Sequence, residues 1–70
     1  MAIDSGVAGE RYARLFRKAG AYLAKGNVAR ALDVLKEGRE LAEREGHPKM
    51  ARLFAAEIER AQRPSDRSSD

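Results

Sequence analysis

The residues best equipped for intermolecular chemistry are cations. Arg11, Arg14, Lys18 and Lys25 recur at spacings of three, four and seven residues, which on a helix is one stripe, with Arg17 on its flank and Arg30 beyond. Between residues 10 and 30, six positive charges meet a single negative one, Glu10. Such a stripe can pair with carboxylates on a protein partner or neutralise nucleic-acid phosphates. Base stacking needs exposed aromatics among the cations, and Tyr12, Phe16 and Tyr22 fall on the apolar side of the same segment. A protein partner with an acidic or amphipathic segment is the leading reading. A small basic nucleic-acid-binding protein is the second.

Other candidate chemistry is thin. Glu37, Glu40, Glu43 and Glu45 form an acidic group, but Lys36, Arg39 and Arg44 interleave with them at helical spacing, which describes a solvated face. His47 is the only histidine and sits in a Gly46-His47-Pro48 loop; with no cysteine and no second histidine it lacks partners for metal binding or base catalysis. A loop or capping role suits it better. No phosphate-binding loop or nucleophile motif is present. The expectation is a non-enzymatic chain with no catalytic, cofactor or metal-binding residues.

The elements that position these residues follow from length and punctuation. Seventy residues make one domain, and a chain this short buries only about 60% of its unfolded surface, so a lone copy is marginal. Leu, Ile, Val and Phe total 13, a poverty that signals disorder when net charge is high. Here 14 basic and 11 acidic side chains nearly cancel, and 13 alanines favour helix. No apolar run approaches the ~18 residues of a membrane span, and the first residues lack a signal-peptide core, so a cytoplasmic protein is expected.

Breaks at Lys25-Gly26-Asn27, Gly46-His47-Pro48 and Pro64 divide the chain into three segments of helical length. The spacing predicts helices over about 7–24, 28–45 and 48–62, in antiparallel order. A flexible lead (1–6) and a disordered polar tail (64–70) flank a three-helix domain at 7–63. Asp4 or Ser5 can cap the first helix, Asn27 the second, and Pro48 suits the first turn of the third. Tyr12, Leu15, Phe16, Ala19, Tyr22 and Leu23 form the first apolar stripe. In the second segment Val28, Ala31, Leu32, Leu35 and Ala42 lie beside Val34, Gly38 and Leu41, an arc wide enough for two neighbours. Gly20 suggests a close helix–helix approach.

A short echo adds to this. Ala13-Arg14-Leu15-Phe16 returns as Ala51-Arg52-Leu53-Phe54, 38 residues later, each near the start of a helix. Together with the run Ala19-Gly20-Ala21-Tyr22-Leu23-Ala24-Lys25-Gly26-Asn27-Val28-Ala29-Arg30-Ala31-Leu32, this resembles the tetratricopeptide repeat (TPR), a helix–turn–helix family that binds other proteins. The resemblance makes Ala19 the small residue of helix A, Tyr22 its late aromatic and Gly26 the turn glycine. Ala31 becomes the small residue at the helix crossing and Leu35 the large apolar one after it. It covers residues 12–45 as one repeat, with 48–62 resembling helix A of a second, here a capping helix. The chain departs from the pattern at Lys18 (usually Leu), at Gly38 (usually Ala) and in the longer Glu43–Pro48 connection. Phe16 and Gly20 occupy the family's carboxylate-clamp positions, so binding of chaperone tails is not implied.

Repeat proteins of this kind usually need about three stacked units. The incomplete second repeat therefore implies self-association, most simply a homodimer, through Val7, Met50, Leu53 and Phe54, with Ile3 adding apolar surface. The crossing itself is testable: Ala31→Leu should destabilise the fold by about 1–3 kcal/mol by forcing the helices apart. An unchanged denaturant midpoint would remove Ala31 from the crossing.

Overall fold

The computed structural model describes the backbone of residues 2–63 and the side chains from residue 9 onward. Met1, the side chain of Val7 and the expected tail at 64–70 lie outside the described residues. The fold is all-α, with three helices and no strand among those residues: α1 (Ala2–Ala24), α2 (Val28–Arg44) and α3 (Pro48–Gln62). None of the helices is long and apolar enough to cross a membrane. The helix begins at Ala2 instead of near residue 7, so Asp4 and Ser5 lie inside the first turns rather than capping them. No proline interrupts residues 2–24, and Gly6 and Gly9 each weaken a helix by only about 1 kcal/mol relative to alanine.

Both turns are built alike. At the end of α1, Gly26 takes φ +80°, its N–H donates to the Leu23 carbonyl at 3.0 Å, and the Asn27 N–H donates to the Tyr22 carbonyl at 2.8 Å. At the end of α2, Gly46 takes φ +76°, its N–H donates to the Glu43 carbonyl at 3.2 Å, and the His47 N–H donates to the Ala42 carbonyl at 2.8 Å. Each is a Schellman motif, in which a left-handed residue lets the chain fold back and satisfy the last carbonyls. Glycine adopts that conformation without a Cβ clash. The next residue then starts the following helix. Asn27 does so with its side chain, accepting from the Arg30 N–H at 3.4 Å. With only three residues per turn, successive helices must run antiparallel.

α3 ends for a different reason. Arg63, the residue before Pro64, is extended (φ −71°, ψ 124°), because the proline ring disfavours helical geometry in its predecessor.

α2 is the central element and packs against both neighbours. It buries Ala31, Val34, Leu35, Gly38 and Ala42, so both expected stripes face inward. Val28, at the first position of α2, stays exposed because it precedes the part of the helix that its neighbours cover. Ala19, Ala31, Ala42 and Ala51 supply small contacts that bring backbones close, and Phe54 and Leu35 are the largest fully buried side chains.

The glycine that admits a tight contact is Gly38, not Gly20. A methyl group at Gly38 would overlap the Phe54 ring, with Cδ1 only 2.7 Å away and Cε1 and Cζ nearer still. At Gly20 it would meet nothing within 4 Å, since that residue faces outward. Phe54 is 0% exposed. Its expected part in self-association is therefore corrected: the ring fills the notch over Gly38 and cannot also meet a second copy.

The two glycines should respond oppositely to alanine. Gly20→Ala should stabilise by up to about 1 kcal/mol through helix propensity alone. Gly38→Ala should destabilise by about 1–2 kcal/mol, because a locked ring has to move to admit the methyl. Paired urea melts would check this, and equal shifts at the two sites would contradict the notch.

Candidate partner-binding surface

Tyr12 and Ala19 are buried, and Leu15, Phe16, Tyr22 and Leu23 pack around them, which fixes the rotation of α1 about its axis. The opposite side is thereby presented to solvent. Arg11, Arg14, Arg17, Lys18 and Lys25 are all exposed there, as are Ala13, Gly20, Ala21 and Ala24. The five cations stand beside small side chains, so a docking segment would meet charge with little steric relief around it.

None of these cations has an ion-pair partner among the described residues. The two ion pairs between described residues lie elsewhere: Arg39–Glu43 at 3.9 Å on α2, and Arg60–Glu57 at 3.1 Å on α3. Both are short-range pairs along one helix, and exposed pairs of that kind contribute at most about 0.5 kcal/mol. The first agrees with a solvated acidic face on α2, where Glu37, Glu40, Glu43 and Glu45 are all exposed. Among the described residues, no set of three or more His, Cys, Asp or Glu is placed to hold a metal ion.

The structure places four of the five residues expected to pack a repeat in or against one core. Ala19, Ala31 and Leu35 are core residues, Tyr22 is half-buried against them, and Gly26 makes the turn. It separates the self-association set. Phe54 is interior, Met50 is half-buried, and Leu53 alone of the described members is open, at 53% exposure.

One polar contact was not foreseen. The Tyr12 hydroxyl meets His47 Nδ1 at 2.7 Å, and the two rings lie edge to face with centroids 5.6 Å apart. The phenol donates when Nε2 carries the ring proton and can accept when Nδ1 carries it, so the bond forms with either tautomer. His47 occupies the N-cap position of α3, but its side chain does not cap the helix and instead ties the α2–α3 turn to α1. Pro48 has no N–H, which lessens the need for a cap. A periodic pattern assigns Tyr12 to the core but cannot pair it with a loop residue 35 positions away.

Burial raises the Tyr12 phenol pKa above its ordinary value, the Glu45 carboxylate raises it further, and the Arg11 charge partly offsets both. The folded state therefore holds this proton more tightly than the unfolded chain. Stability from this source is full below about pH 10 and falls as pH rises from there through the raised value. No protein-family model matches the chain, and no curated protein or solved structure matches it.

Tyr12 and Tyr22 are the only tyrosines, so Tyr22→Phe isolates the Tyr12 phenol. Its ultraviolet titration in the folded protein should have a midpoint above about 10, with the urea midpoint falling over the same range. A midpoint at or below the ordinary value, with helicity intact, would contradict the burial of the hydroxyl.

Proposed function

We propose that the chain is a non-enzymatic protein-interaction module, a TPR-like helical hairpin with a third, capping helix, acting in the cytoplasm. Its α1 face engages an acidic or amphipathic segment of another protein. The observation that carries the reading is the set of exposed cations on α1, Arg11, Arg14, Arg17, Lys18 and Lys25, with no ion-pair partner among the described residues. A surface that binds carboxylates keeps its own carboxylates elsewhere, and here the acidic groups gather on α2, already interleaved with cations. Two like turns, and buried small residues at 19 on α1 and 31 on α2, support the TPR-like part.

Nucleic acid remains the second reading, on the same cations. The two differ in what should accompany the charge. Stacking platforms for bases would be exposed aromatics, yet Tyr12 is buried and Phe16 and Tyr22 are half-buried against the core.

The test is titration at physiological salt with a glutamate-rich amphipathic helical peptide and, separately, with mixed-sequence oligonucleotides. The peptide should bind, and replacing Arg11, Arg14 and Lys18 together by alanine should weaken it roughly tenfold or more. Binding of oligonucleotides only, with affinity falling steeply as salt rises, would replace this reading with the second.

A further inference from the structure

α3 carries a self-complementary pattern on one flank, beside its inward stripe. Its inward residues are Ala51, Phe54 and Ile58. Lys49, Leu53 and Glu57 follow one another at four-residue steps along another ridge of the same helix. Leu53 and Val28 are the exposed large hydrophobics of the described residues, and Leu53 is the more open, at 53%. Its counterpart 38 residues earlier, Leu15, packs against the core. Leu53 stays open because no further helix of the described chain lies beyond α3.

We infer that a second copy of this chain covers this ridge, with the two α3 helices running antiparallel across a two-fold axis at Leu53. The charges select this occupant and this direction. An axis at residue 53 sets position 49 of one copy opposite position 57 of the other, because each lies four residues, about 6 Å along the helix, from the axis. Lys49 then faces the second copy's Glu57, and the symmetry makes the pair twice. Met50, half-buried, comes opposite the exposed Ala56 at three residues from the axis, extending the apolar strip around Leu53. A parallel arrangement would set Lys49 against Lys49 and Glu57 against Glu57.

The monomer leaves these groups ready for such a contact. Lys49 has no ion-pair partner among the described residues. Glu57 is held by Arg60 at 3.1 Å, with its side chain 35% exposed, and a carboxylate accepts from two cations at once. Two-fold contacts are the commonest among oligomers, and an isologous one needs a patch that complements itself, as this ridge does. The inference uses α3 and is independent of the α1 reading.

Sedimentation equilibrium in the tens-of-micromolar range tests it, with helicity checked for each variant. The wild type should reach twice the 7.7 kDa chain mass. Lys49→Glu and Glu57→Lys should each weaken the dimer roughly tenfold, since either change turns both attractive pairs repulsive. Mixing the two variants should restore dimer, as a heterodimer whose two charge pairs are both attractive. The double variant should dimerise like the wild type. A wild type that stays monomeric, single variants as tight as wild type, or a mixture no tighter than its components would each overturn the proposal. Loss of dimer in Leu53→Asp with helicity unchanged would support the axis position, and retention would overturn it.

Discussion

The fit of the Phe54 ring into the notch over Gly38 is the contact on which the rest of the molecule depends. The side chain is fully buried, and the backbone of α2 can come this near to it only because residue 38 has no side chain. From that seat the ring also meets α1. It stacks on Phe16 with centroids 4.2 Å apart and planes 5° from parallel, and it meets Tyr12 edge to face at 5.9 Å. One side chain of α3 thus contacts both other helices. Aromatic pairs of this kind contribute about 0.5–1.5 kcal/mol each beyond the area they bury. In a chain with so few large apolar residues, that concentration of contact matters.

The surface follows from the same seat. Once Phe16 and Tyr12 are drawn toward Phe54, the rotation of α1 is set and its cations face solvent. Once Phe54 and Ile58 point inward, the Lys49–Leu53–Glu57 ridge of α3 is left on the helix flank, with Leu53 open to solvent. The Tyr12–His47 hydrogen bond closes the end of the bundle where α1 passes the second turn. The described core holds no buried polar or charged side chain without a partner, so its order comes from shape and from the two glycine turns.

Much of this was legible in the residues, and the limits have physical reasons. Gly26, Asn27, Gly46 and Pro48 carry strong local signals, because left-handed backbone, capping and a missing N–H are properties of single residues. The three helices and the wide buried arc of α2 were therefore readable. The start of α1 was not, because the signals at residues 4–9 are weak and conflicting. Gly38 was readable on the apolar arc of α2, but not the aromatic ring that covers it, and Gly20, expected at a close approach, faces water because the rotation of α1 turns it outward. Phe54 falls at helical spacing with Ala51 and Ile58, but that spacing does not name the glycine it seats on, and the expected interface role followed from that gap. The echo joining Phe16 to Phe54 did hint at a partner for the ring, since the two equivalent rings stack on each other. The basic stripe of α1 was fully legible, because charge and spacing define it without tertiary information.

The most direct test of the notch is proton magnetic resonance of the folded chain. Gly38 Hα lies against an aromatic ring, so nuclear Overhauser contacts from Gly38 Hα to the Phe54 ring protons should be strong. At least one Gly38 Hα should also be displaced from the ordinary glycine position by the ring current, and the displacement should vanish in Phe54→Leu. Gly38 Hα protons at ordinary glycine shifts, with no Overhauser contact to Phe54, would contradict the account at its centre.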